Sequence, residues 1–180
     1  VFGVTGTNGK TTVTYVLDSI YKIKNGRSGI IGTINCCYGN TSFASPITTP
    51  DSLNLNQMLH EMAEQKIDQC FLEVSSHSLS LKRVCGMNFS VGVFTNLSRD
   101  HLDFHGTMDS YKEAKKKLFR CNHIKKLVVN IDDSVGREIA TEFPENLLTV
   151  GIKKHADVMA EDYSLSELGS SFVLKTPLGS

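Results

Sequence analysis

The chain has 180 residues, 40% of them hydrophobic, and its 19 basic and 19 acidic residues cancel. That length suits about one domain with a substantial core. The charge balance gives no footprint for nucleic acid or an anionic membrane, no apolar run approaches the roughly 20 residues of a spanning helix, and no signal peptide is visible. Cys36, Cys37, Cys70, Cys85 and Cys121 show no C-x-x-C spacing. Three of them lie in or beside apolar runs, where a free thiol behaves as a small hydrophobe. A reducing, cytoplasmic compartment with neither nucleic acid nor membrane as partner is the expectation.

The apolar run Val1-Phe2-Gly3-Val4 reads as the end of a strand and leads into Gly6-Thr7-Asn8-Gly9-Lys10-Thr11-Thr12. Beyond it, Val13, Val16, Leu17, Ile20 and Tyr21 recur with helical spacing. Strand, glycine loop, Lys-Thr and helix together form a phosphate cradle. Glycines let backbone N–H groups converge on an anion, the helix N-terminus adds partial positive charge, and Lys10 supplies a point charge. The Thr11 hydroxyl can join the shell of a phosphate-bound magnesium ion. The loop is shorter than the common P-loop, whose first glycine would fall at Val4. A nucleoside triphosphate such as ATP is the expected ligand.

Residues 27–35 read as a glycine-punctuated strand, followed by a polar loop from Tyr38 to Pro50. Asp51 or Ser52 can cap the next helix, whose apolar face is Leu55, Met58, Leu59 and Met62. Thr48-Thr49, taken alone, reads as turn and cap chemistry. The run Cys70-Phe71-Leu72-Glu73-Val74 suits a parallel strand covered on both faces. Glu73 interrupts it near the carboxyl end, where ligands gather in open α/β sheets, so it reads as a magnesium ligand. Ser75-Ser76-His77 follow, with Arg83 a turn or two on. A third buried strand, Val91 to Leu97, delivers Ser98-Arg99-Asp100-His101-Leu102-Asp103-Phe104-His105-Gly106. His101, just past this strand, reads as a group at the metal or phosphate; Asp100 and Asp103 fit equally well as solvated or capping residues.

In the helix beginning near Thr107, about 100° per residue puts Tyr111, Ala114, Lys115, Leu118 and Phe119 on one arc. Lys112, Glu113, Lys116, Lys117 and Arg120 fall on the other, solvent-like side. A buried lysine needs a partner or loses its proton, and a neutral amine can react with carbon dioxide to give a carbamate. A lysine snorkelling over apolar surface is the alternative that periodicity leaves open. Lys126–Ile131 and Leu147–Gly151 read as further strands, with Asp132-Asp133 before another helix. The pattern predicts an α/β fold with a mainly parallel sheet flanked by helices, and short antiparallel strands from about Asp157. Val1 begins inside a strand and residues 171–180 read as an unfinished hairpin, so a central piece of a longer protein is expected.

Together these motifs resemble the Mur ligases, the amide-forming enzymes of peptidoglycan precursor synthesis, over essentially the whole chain. Residues 5–12 look like that family's shortened P-loop. Thr48-Thr49-Pro50, Glu73-Val-Ser-Ser-His77, residues 96–106 and Tyr111-Lys-Glu-Ala-Lys115 look like the branch that adds the third amino acid to UDP-N-acetylmuramoyl-L-Ala-D-Glu. The resemblance implies that residues 1–180 are the central ATP-binding domain, without the N-terminal UDP-binding and C-terminal domains, and are inactive or weakly active alone. It implies Gly6, Thr7, Asn8, Gly9, Lys10, Thr11 and Thr12 around the phosphates, with Asn130 near the base. Thr48, Thr49, Ser75 and Arg83 would bind the UDP-muramoyl dipeptide. Lys10, His101 and Lys115 would be catalytic, two Mg2+ ions would involve Thr11, Glu73, His101 and Lys115, and Lys115 would carry the carbamate made from carbon dioxide. The incoming amino acid would be meso-diaminopimelate or L-lysine, and a monomer is expected. Leu81 departs from members that carry glutamine there. The rival readings are a folylpolyglutamate-type ligase, expected to lack Thr48-Thr49-Pro50 and Ser75-Ser76-His77, and a nucleotide-dependent switch. A dinucleotide-binding oxidoreductase is disfavoured by the loop lysine and the missing G-x-G-x-x-G.

Overall fold

A computed structural model describes residues 1–167 and 169–179. In chain order the elements are β1 (Phe2–Thr5), α1 (Lys10–Ile23), β2 (Ser28–Ile31), β3 (Asn35–Tyr38), β4 (Thr41–Ala44), α2 (Ser52–Glu64), β5 (Gln69–Glu73) and α3 (Ser76–Ser80). They continue with β6 (Asn88–Phe94), α4 (Leu102–His105), α5 (Met108–Arg120), β7 (His123–Asn130), α6 (Ser134–Glu142), β8 (Leu147–Gly151), β9 (Val158–Ser166) and β10 (Gly169–Lys175). The strands form one sheet in the order β10-β9-β8-β7-β6-β1-β5-β2-β3-β4.

From β2 to β9 the neighbours β2, β5, β1, β6, β7, β8 and β9 run parallel. Their central strands are apolar on both faces because helices cover the sheet. β1 lies between β5 and β6. The carboxyl ends of these three strands open side by side, and the loops that leave them carry most of the candidate residues. The core runs through Leu72, Val74, Phe89, Phe94, Leu118, Val129 and Ile139. In α5, Tyr111, Ala114, Lys115, Leu118 and Phe119 are buried as the helical arc requires. Asp51 caps α2 by accepting from the Leu53 and Asn54 N–H groups, and Leu55 and Met62 point into the core.

Several expectations are corrected. Residues 27–35 are not one strand: β2 stops at Ile31, and the chain turns through Gly32 to pair back antiparallel as β3. The expected polar loop contains β4, paired antiparallel with β3. The third strand ends at Phe94, so Thr95–Leu97 are loop. α1 buries Thr14 and Asp18 rather than its apolar stripe, leaving Val16 and Ile20 half exposed; Asp18 accepts from Ser28 Oγ at 2.7 Å and Lys22 Nζ at 2.8 Å, which makes the carboxylate a tolerable inward residue. Lys116 is buried, not outward. The C-terminal antiparallel pair is longer than expected, nine and seven residues, with residues 169–175 as its second arm, and beyond it Thr176 and Gly179 pair antiparallel across a turn; Ser180 lies outside the described residues. No helix among the described residues is long and apolar enough to cross a membrane.

Candidate functional site

The glycine loop is held open by the exit of β6. Thr7 and Asn8 N–H donate to Asn96 O and Oδ1 at 2.8 and 3.0 Å, while Thr95 Oγ1 and Asn96 Nδ2 donate to Asn8 O at 2.6 and 3.1 Å. Gly9 takes φ 85° where the loop enters α1, and Gly6 takes φ 149°. A Cβ at Gly6 would sit 1.9 Å from Thr95 Oγ1, so only glycine lets the loop pack on β6. Lys10 Nζ donates back to Gly6 O at 3.0 Å and Thr7 O at 2.9 Å, which keeps the cation at the loop. Burial lowers the Lys10 pKa, opposed by the charge of Glu73. Thr12 is exposed on the first turn of α1.

Glu73 is fully buried at the end of β5 and satisfied. Its Oε2 accepts from Thr11 Oγ1 at 2.9 Å and Thr33 Oγ1 at 3.0 Å, and its Oε1 accepts from Thr33 N–H at 2.9 Å. Thr33 Oγ1 also meets Thr48 Oγ1 at 3.1 Å. Thr49 is clamped next door: its hydroxyl donates to Glu73 O at 2.8 Å and accepts from Ser75 N–H at 3.0 Å, and Arg83 Nη1 donates to Thr49 O at 2.9 Å. The tethers leave the other guanidinium N–H groups of Arg83 for a ligand. Lys10, Thr48, Thr49, Ser75, Arg83, His101 and Lys115 line one cleft of about 330 Å³, with Ile47 and Leu81 as apolar members.

Lys115 is only 1% exposed. Its Nζ donates to Gly6 O at 2.7 Å and lies 4.6 Å from the centre of the Tyr111 ring. Burial first and the neighbouring Lys10 second lower its pKa to about 7, while Asp100 pulls the other way. Lys115 therefore points inward with the apolar arc of α5 and does not snorkel, because its head group itself is buried. His101 begins α4 in the left-handed region, φ 51°, with its N–H on Asp100 Oδ1 at 2.8 Å and its ring 4.9 Å from that of His77. Such strain in a non-glycine residue is found at functional sites.

The oxygens of Glu73 and Thr11, 2.9 Å apart at the loop, are a hard donor pair that fits Mg2+. Among the described residues no three His, Cys, Asp or Glu side chains gather as a metal cage. A Lys115 amine with its pKa near 7 fits carbamate formation. Asn130 lies apart, lining a second cleft of about 490 Å³ with Gly9 and Val13. Its Nδ2 donates to Thr95 O at 2.8 Å and its Oδ1 accepts from Asp132 N–H at 3.0 Å, which braces the wall of that cleft. Sequence reasoning missed Thr33 as a site residue because it was read as mid-strand; a Gly-Thr pair at the carboxyl end of a parallel strand was the available signal.

Residues 4–180 match the family model described as the Mur ligase middle domain. The UDP-N-acetylmuramoyl-L-alanyl-D-glutamate--2,6-diaminopimelate ligase of Alkaliphilus metalliredigens is 47% identical over 182 residues, 99% of this chain and 37% of the relative. The enzyme of the same name from Alkaliphilus oremlandii is 48% identical over 179 residues, 96% of this chain and 36% of the relative. A solved structure bearing that name superposes with a TM-score of 0.89 at 35% identity, covering 99% of this chain and 37% of the other. E. coli FolC, solved with DHPP and ADP, shares the fold at a TM-score of 0.66 and 19% identity, covering 99% of this chain and 46% of its own. The chain thus spans little more than a third of the curated relatives' length. It belongs to the Mur ligase middle-domain family.

Proposed function

We propose that this chain is the nucleotide-binding part of a cytoplasmic, monomeric ATP-dependent ligase that joins an amino acid to UDP-N-acetylmuramoyl-L-Ala-D-Glu during peptidoglycan precursor synthesis. The observation that carries the reading is the buried Lys115 amine beside Lys10 on the phosphate loop. The cleft lined by Thr48, Thr49, Ser75 and Arg83 beside that loop favours a ligase over a nucleotide-dependent switch. The names of the two Alkaliphilus relatives support 2,6-diaminopimelate over L-lysine as the amine.

The terminal carboxylate of the D-glutamyl residue attacks the γ-phosphorus of ATP, the bond to the β-phosphate oxygen breaks, and an acyl phosphate and ADP form. The amine then adds to the acyl carbon, and phosphate leaves from the tetrahedral intermediate. Two anions must approach, so cations are required. Lys10 neutralises the phosphate oxygens, and the backbone N–H groups of residues 9–11, where the loop enters α1, cradle them. Arg83, Thr48, Thr49 and Ser75 hold the dipeptide carboxylate, and the fully buried floor of the site limits water. Mg2+ held by Glu73 and Thr11, with His101 and a Lys115 carbamate nearby, would supply further charge neutralisation.

The test is phosphate release by the protein expressed from its full coding sequence, with Mg·ATP, UDP-N-acetylmuramoyl-L-Ala-D-Glu and either diaminopimelate or L-lysine. Release that needs the dipeptide and one amine establishes the ligase. Hydrolysis independent of both would refute it, and dependence on a pteroyl substrate would move the assignment to a folate-type ligase.

A further inference from the structure

Tyr111 is completely buried on the first turn of α5. Its hydroxyl lies 3.1 Å from Thr7 Oγ1 in the phosphate loop. Thr7 Oγ1 also lies 3.3 Å from Ser98 O and accepts from Ser98 N–H at 3.0 Å. Either hydroxyl can donate across the Tyr111–Thr7 contact, and with it the threonine oxygen has three polar partners. One helical turn on, at i+4, Lys115 Nζ lies over the same ring. His105 stacks on the ring at 4.9 Å and 29°.

We propose that Tyr111 is a positioning residue that couples the phosphate loop to Lys115, its hydroxyl fixing Thr7 and its ring seating the lysine side chain. The proposal rests on the ligase reading for the role of Lys115. Thr7 O and Gly6 O are the two anchors of Lys10, and Gly6 O is also the anchor of Lys115. A single side chain thus braces both amines. Hydroxyl and ring have separable tasks: losing the hydroxyl frees Thr7 while Lys115 keeps its seat, and losing the ring frees both.

Two variants of the protein expressed from its full coding sequence separate the tasks. Binding of a non-hydrolysable ATP analogue with Mg2+ is measured by calorimetry, and the Lys115 carbamate carbon by NMR under 13C-labelled carbon dioxide. Tyr111→Phe is expected to bind the analogue roughly three- to ten-fold more weakly, the worth of one hydrogen bond, and to keep the carbamate signal. Tyr111→Leu is expected to lose nucleotide affinity and most of the carbamate signal, so that phenylalanine rescues what leucine removes. A merely structural tyrosine would move both readouts together, in step with the melting temperature. The proposal is overturned if Tyr111→Phe binds nucleotide as the unaltered chain does, or if a folded Tyr111→Leu keeps its full carbamate signal. Where Tyr111→Leu does not fold, the phenylalanine arm decides. An unaltered chain that takes up neither nucleotide nor carbon dioxide refutes the ligase reading and this proposal with it. An unaltered chain that takes up both, with variants indistinguishable from it, refutes Tyr111 alone.

Discussion

Lys10 and Lys115 converge on one backbone oxygen: Gly6 O accepts from the two amines at 3.0 and 2.7 Å. Residues 105 positions apart in the chain are brought together because β1 delivers the loop against β6 and α5 packs across the same strand ends. Two ammonium groups on a single carbonyl repel, and the more buried one yields its proton more readily. The fold thereby assigns one lysine to remain a cation for phosphate and prepares the other to lose its charge.

Under the proposed function, carbamylation of Lys115 should accordingly follow its neighbour. Only the neutral amine reacts with carbon dioxide, so the carbamate signal should rise as pH increases through about 7. Lys10→Ala removes a charge that lowers this pKa, so the midpoint should move to higher pH. A midpoint unchanged or lower in 13C NMR titrations would mean that Lys10 does not act on Lys115.

Stability should rise with pH as well, over a higher window. In carbon-dioxide-free buffer the folded pKa of Lys115 lies near 7, well below the 10.5 of an exposed lysine. Between those values the unfolded chain binds more protons, so stability rises with pH across the window, and below about pH 7 the full penalty persists. Lys115→Met removes a penalty on the order of a few kcal/mol along with the activity. Its stability gain, from urea midpoints, should be larger near pH 6 than near pH 9; an equal gain at both would show that the lysine is not desolvated.

Lys116 tests the neighbouring position. Its Nζ lies 3.2 Å from Glu138 Oε2 and 3.0 Å from Glu142 Oε2, clamping α5 to α6. Lys116→Ala should lower stability by roughly 1–2 kcal/mol and leave nucleotide affinity and the Lys115 carbamate unchanged. Loss of either would make the lysine run a functional unit rather than one functional and one structural residue.

These two lysines show what was legible. The loop, the inward face of α5, the parallel strands and Glu73 at a strand end follow from spacing and periodicity, which are local. Lys115 was found because its own helix places it among apolar residues. Lys116 was misplaced because its partners lie on α6, which no helical wheel of α5 contains. The same limit hid β4, which pairs with β3, and the role of Thr33, which depends on Glu73 arriving from 40 residues away. On α1 the wheel itself misled: the inward positions are Thr14 and Asp18, stabilised by hydrogen bonds to Thr11 O and Ser28 Oγ rather than by hydrophobicity.

Glu73 as a metal ligand can be tested without leaving the glutamate's pocket empty. A Cβ on Gly32 would stand 2.2 Å from Glu73 Oε1, and that oxygen is held by Thr33 N–H, so it cannot retreat freely. Gly32→Ala should cost roughly 1–3 kcal/mol through overpacking and displace the carboxylate from Thr11. Glu73→Gln keeps the volume; its oxygen can accept from Thr33 N–H, and its amide can donate to the Thr11 and Thr33 hydroxyls once they rotate. This variant should stay close to the unaltered chain in stability but lose the anionic oxygen that a hard cation needs. In calorimetric titrations the Mg2+-dependent gain in ATP affinity should shrink in both variants, whereas the Mg2+-independent part, carried by Lys10 and the loop N–H groups, should survive in Glu73→Gln. Retention of the full magnesium effect in both would remove Glu73 from the metal and leave it as a brace for Thr33 alone.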